Sequence, residues 1–138
     1  MMLQIFSAIA TALIIILVTT LFAKHFSAKL IASTVLCSIA FIYVGFSLQE
    51  GNTGSIVLNV LVALIFYFIA IIGYSKMNSI VAYGIALHGI WDFFHHNAFL
   101  IKTDIPTYWP LYCFIVDVIC GVYFLLVFRT ENLKPKHS

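Results

Sequence analysis

The sequence predicts an all-α protein built as a bundle of five membrane-spanning helices. Three observations carry that expectation. The 138 residues are 63% hydrophobic and 9% charged, against roughly 25% charged in a soluble domain. The mean hydropathy is +1.09. The apolar residues are also gathered into runs separated by short polar breaks. A chain with seven Lys and Arg and five Asp and Glu cannot clothe a water-facing surface. This composition excludes a soluble enzyme and a nucleic-acid binder. A net charge of +2 is too small to point to an acidic partner.

Each span is long enough for a bilayer core, which takes ~20 helical residues. The first, about Leu3 to Ala23, carries no charge. It lacks a basic leader and its apolar run exceeds that of a signal peptide, so it reads as a retained helix. The second covers about 30–48 and the third about 56–74. The fourth, about 79–101, is apolar except for His88, Asp92, His95, His96 and Asn97. The fifth, about 110–128, holds one charge, Asp117. Gly51, Asn52, Gly54, Ser75–Asn78, Pro106 and Pro110 punctuate the connections. In lipid each segment must satisfy its own backbone groups, which requires helices here. Residues 1–129 are thus expected to form a single transmembrane domain, and 130–138 a short disordered cytoplasmic tail.

Five spans place Lys24, Lys29, Lys76, Arg129, Lys134 and Lys136 on one side and only Lys102 on the other. That bias predicts a cytoplasmic C-terminus and an external N-terminus, in a multi-pass protein of the bacterial inner membrane. Tyr108, Trp109 and Tyr112 read as interfacial anchors where the last helix begins. Gly45, Gly84, Gly89 and Gly121 read as points of close helix approach. The three cysteines form no Cys-x-x-Cys pair and no disulfide framework.

The informative polar residues lie where lipid disfavours them. A charge at the bilayer centre costs at least ~2.5–3.5 kcal/mol and needs a partner or a task. In the fourth span, His88, Asp92, His95 and His96 fall within an arc of roughly 100°. A rise of ~1.5 Å per residue puts Asp92 about 13 Å, and Asp117 about 10 Å, below the outer ends of their helices. They can meet at one level in the outer half of the membrane. Glu50 and Asn59 can face the same space, as can Cys113 and Cys120, which flank Asp117 on its helix face, with Trp91 beside Asp92; His25 and His137 fall on the cytoplasmic side.

Imidazole and carboxylate donors suit Zn, Fe or Mn. His88, Asp92, His95 and His96 are the candidate metal ligands, and Asp92 and Asp117 the candidate catalytic groups. No haem or nucleotide is expected. A metal-free His–Asp chain that moves protons, and a purely structural polar network, are the alternatives. Transport of protons or divalent cations needs polar access from both faces and a homo-oligomer to widen the conduit. The inner halves of these helices are almost wholly apolar. The favoured expectation is a metal-dependent membrane enzyme acting on a lipid-like or isoprenoid substrate that arrives from the membrane lipid.

The run His88-x-x-Trp91-Asp92-x-x-His95-His96, then Tyr108-Trp109-Pro110-Leu111, Cys113 and Asp117, resembles a family of small uncharacterised bacterial integral membrane proteins over roughly the last 60 residues. That resemblance implies a membrane bundle and no particular activity. By ligand chemistry alone, the histidine pattern is similar to the boxes of membrane desaturases and hydroxylases, with Asp92 where a histidine would stand. His88-x-x-x-Asp92 is likewise similar to the His-x-x-x-Glu of five-helix sterol isomerases.

Overall fold

The computed structural model describes residues 2–95 and 105–133; the side chains of Glu50, His95 and residues 131–133 lie outside that description. The described residues form five helices and no strand: α1 (Met2–Phe22), α2 (Ala28–Glu50), α3 (Thr53–Ser75), α4 (Asn78–His95) and α5 (Trp109–Leu133). Four of them, α1, α2, α3 and α5, are long and apolar enough to cross a membrane. Over its described residues α4 is not, because Asn78, His88, Asp92 and His95 lower its hydropathy. The remainder of the expected fourth span, 96–101, lies outside the described residues. α5 continues to Leu133, so the first residues of the expected tail are helical. Residues 134–138 are not described.

The chain turns sharply between α2 and α3. Gly51 takes the left-handed conformation at φ +73°, and its N–H donates to the Ser47 carbonyl. A β-carbon would be strained there. The Asn52 side chain then accepts from the Ser55 N–H at 3.2 Å and starts α3.

Cross-helix contacts fix the directions. The Tyr112 hydroxyl donates to Thr11 Oγ1 and Thr20 pairs with Tyr123, so α1 and α5 run parallel. Ser33 reaches the Ala70 carbonyl and Asn59 reaches Ser47, so α2 and α3 are antiparallel. α4 is the central helix, packed on α5, α3 and α2. This alternation brings Lys24, Lys29, Lys76 and Arg129 to one end of the bundle, where the Lys29 ammonium lies over the Tyr74 ring at 4.9 Å. The α2–α3 turn and the start of α5 form the other end.

The packing is that of a protein whose outside is oil. Ala8, Ala12, Ala32, Ala40, Ala63, Ala70 and Ala82 are buried, while Leu3, Phe6, Leu13, Ile14 and Leu17 stand exposed. Small residues let helices approach, and large ones face lipid at no cost. A β-carbon on Gly121 would sit 3.2 Å from the Ala82 carbonyl and from Ala86, so α4 and α5 are nearly in backbone contact. Gly84 and Gly89 also sit in close approaches. Gly45 does not: nothing lies within 4 Å of its would-be β-carbon, because it points away from every neighbouring helix.

Candidate functional site

His88 is the centre of the site, delivered to the middle of the bundle by α4. It is 1% exposed, and its ring is held edge-on by Phe66 of α3 at 4.9 Å and Tyr43 of α2 at 5.9 Å. Its Nδ1–H donates to Asp117 Oδ2 of α5 at 2.7 Å. Asp92, one turn further along α4, places Oδ2 3.5 Å from the same nitrogen. Gly89 makes this convergence possible: a β-carbon there would lie 3.2 Å from Asp117 Cβ. The two helices close up at the level of the carboxylate.

The three donors stand within 4.8 Å of one another and all three residues are buried. Asp92 is fully buried, yet neither of its carboxylate oxygens has a hydrogen-bond partner. An ionised carboxylate in that position is costly unless something compensates it. Ligands of one first-row ion sit ~2.0–2.2 Å from it, hence roughly 3–3.5 Å from each other. The His88–Asp92 separation matches that spacing. The His88–Asp117 hydrogen bond is shorter, so an ion would displace the proton and widen the pair by a few tenths of an ångström.

Asp92 and Asp117 therefore do meet at one level, as their depths along the helices predict. Cys113 is buried one turn from Asp117, within electrostatic reach of both carboxylates. Asn59 is buried on α3 toward the α2–α3 turn, where its Nδ2 donates to Ser47 Oγ at 2.6 Å. Trp91 is half-buried and joins Val62, Ile65, Phe66, Leu87 and Phe94 around an apolar groove of about 240 Å³ between α3 and α4. The side chains of Glu50 and His95, and all of His96, lie outside the described residues. Trp109 meets Phe46 edge to face at 5.1 Å and Tyr112 bonds α1, so both tie helices together in addition to any interfacial role.

Two contributors were not singled out from the sequence. Tyr43 is 2% exposed and lies against both His88 and Asp92. Phe66 walls His88 off from the groove. Leu36, Ala40, Tyr43 and Ser47 form a buried stripe at helical spacing, but in a helix apolar on every face that spacing does not stand out in the sequence.

The model of a family described as "Family of unknown function (DUF6010)" matches residues 3–130. The chain belongs to that family. No curated protein and no solved structure matches it. The match is consistent with the expected uncharacterised family and covers nearly the whole chain. It carries no activity with it, so function has to be argued from the site. What stands established is an all-α protein with four helices apolar enough for a membrane and a buried His/Asp group.

Proposed function

We propose that this family member is a metal-dependent membrane enzyme. In this reading His88, Asp92 and Asp117 hold a divalent transition ion (Zn, Fe or Mn), and the substrate is lipid-like or isoprenoid. The observation that carries the reading is the Asp92 carboxylate, fully buried, with His88 Nδ1 at 3.5 Å and a second buried aspartate in a group whose donor atoms lie within 4.8 Å of one another. A cation is the compensation such a carboxylate calls for. An ion in this place supplies Lewis-acid polarisation of a substrate oxygen or of water. His88 and Asp117 anchor it; Asp92 serves as ligand or as general base. His95, the last residue of α4, and His96, next in the sequence, are the proposed additional ligands.

In the same proposal all five helices cross the bilayer, the N-terminus outside and the C-terminus cytoplasmic. The basic end of the bundle supports that orientation, since Lys24, Lys29, Lys76 and Arg129 gather there. The site then lies in the outer half of the membrane. The groove beside Phe66 and Trp91 is a lateral approach for an apolar chain, with Phe66 the ring between that chain and His88.

A second reading is a metal-free His–Asp couple that moves protons. The 2.7 Å His88–Asp117 hydrogen bond favours it, being shorter than two ligands of one ion usually stand. Comparative lipid analysis of membranes expressing wild type or Asp92→Asn tests the enzymatic reading. A lipid species consumed or formed only with wild type is the expected result. Identical profiles, with both proteins present at equal levels, would count against an activity on membrane lipids.

A further inference from the structure

Among the described residues, Asp92, Asn59, Ser47 and Ser55 are buried on one side of His88, and only the hydroxyls of Thr19 and Ser33 on the other. Asp92 lies about 6 Å beyond His88 along α4, and Asn59 about 10 Å beyond Phe66 along α3, both toward the α2–α3 turn. Asn59 is 1% exposed and spends its Nδ2 on Ser47, yet its Oδ1 has no partner. Both Asp92 oxygens are in the same condition. At that end of the bundle the buried Trp109 Nε1 also lacks an acceptor. Toward the opposite end the helices bury Leu36, Val81, Ile85, Cys120, Phe124 and Phe128. Ser33, the polar group there on α2, is satisfied by the Ala70 carbonyl.

We infer that the space bounded by Tyr43, Ser47, Asn59 and Asp92 holds ordered water and delivers it to the His88 site from the α2–α3 end alone. Asn59 Oδ1 and the Asp92 oxygens are acceptors that need donors. The Tyr43 hydroxyl lies against Asp92; for Asn59 Oδ1 and the remaining Asp92 lone pairs water is the small donor, and buried water characteristically settles on two to four such groups. With Phe66 and His88 level, as their ring contact places them, Asn59 and Asp92 differ by about 4 Å in height along the helix axes. Ser47 holds the Asn59 amide by accepting from Nδ2 and donating to the Tyr43 carbonyl, which fixes Oδ1 as the free acceptor. Because the other end of the core is apolar, the chamber is closed there. It serves a site that uses water, and it gives no passage across the membrane.

The inference rests on the proposed function only for what the water does at the site. Radiolytic hydroxyl-radical footprinting of the wild-type chain in mild detergent tests the water itself, because bound water generates radicals beside buried groups. Cys113 and Cys120 are the matched pair: both are buried free thiols, and only Cys113 lies on the Asp92 side. The expected result is oxidation of Cys113 at least about fivefold faster than Cys120, falling to the Cys120 rate in Asn59→Leu. Equal rates in wild type would overturn the chamber. An unchanged Cys113 rate in a folded Asn59→Leu protein would overturn the role of Asn59; should that variant not fold, the wild-type ratio decides. A dry chamber around a stoichiometric ion would sink this inference alone. A wet chamber without any ion would sink only the metal reading.

Discussion

His88 Nδ1 stands 2.7 Å from Asp117 Oδ2, and the two residues come from antiparallel helices whose backbones close up at Gly89. The pair therefore locks α4 to α5 as well as forming half of the site. Removing one partner of a buried, charge-assisted pair costs about 3–5 kcal/mol, since the other is left uncompensated. Asp117→Ala and His88→Ala should each lose about that much in a denaturant titration of the detergent-solubilised protein. The double variant should lose less than the sum, leaving a coupling of about 1–3 kcal/mol. Strict additivity would show that the two side chains do not act as a pair.

Glycine substitutions separate close helix contact from open helix surface. Gly121→Val forces a branched side chain against the Ala82 carbonyl and Ala86. It should destabilise the bundle by about 1–3 kcal/mol, the usual cost of overpacking. Gly45→Ala meets nothing and should be neutral or stabilising by up to about 1 kcal/mol through helix propensity. Thermal unfolding of the two variants beside wild type checks both, and a similar loss in each would refute the packing described.

Tyr43 places a phenol against Asp92 and His88 from a third helix. If Asp92 ligates an ion, Tyr43→Phe should weaken metal affinity about 10–100-fold, as outer partners of ligands generally do. Competition with a chromophoric chelator reads this directly. Unchanged affinity would remove Tyr43 from the site.

The proposed orientation rests on the basic end of the bundle. A single cysteine introduced beside Lys76, in a background without Cys37, Cys113 and Cys120, should resist a membrane-impermeant thiol reagent in intact cells and react after permeabilisation. One placed beside Asn52 should react in both conditions. The reverse pattern would invert the topology.

The sequence made the helices legible because lipid demands long apolar segments and the breaks between them hold turn-formers. It also made His88, Asp92 and Asp117 legible, since ionisable groups are rare in such segments and helix rise fixes their depth. Tyr43, Ser47 and Phe66 were not visible for a physical reason. A helix surrounded by lipid is apolar on every face, so periodicity does not mark the buried side as it does in water. The stripe of small residues through Ala40 on α2 and Ala63 and Ala70 on α3 is the better guide to that side. Gly45 shows the opposite error: composition alone suggested a close approach that the direction of its helix face does not provide. α5 runs on to Leu133, through the polar residues that follow Phe128.

In the proposed metal site, one ion shared with His88 and Asp117 compensates the buried carboxylate of Asp92. Elemental analysis by mass spectrometry of protein purified in mild detergent, without a histidine-rich tag, tests it most directly. Wild type should carry close to one equivalent of Zn, Fe or Mn per chain, and Asp92→Asn should carry almost none while keeping its helical content. Wild type free of metal even after incubation with excess ion would contradict the claim and leave the His88–Asp117 couple as the working element.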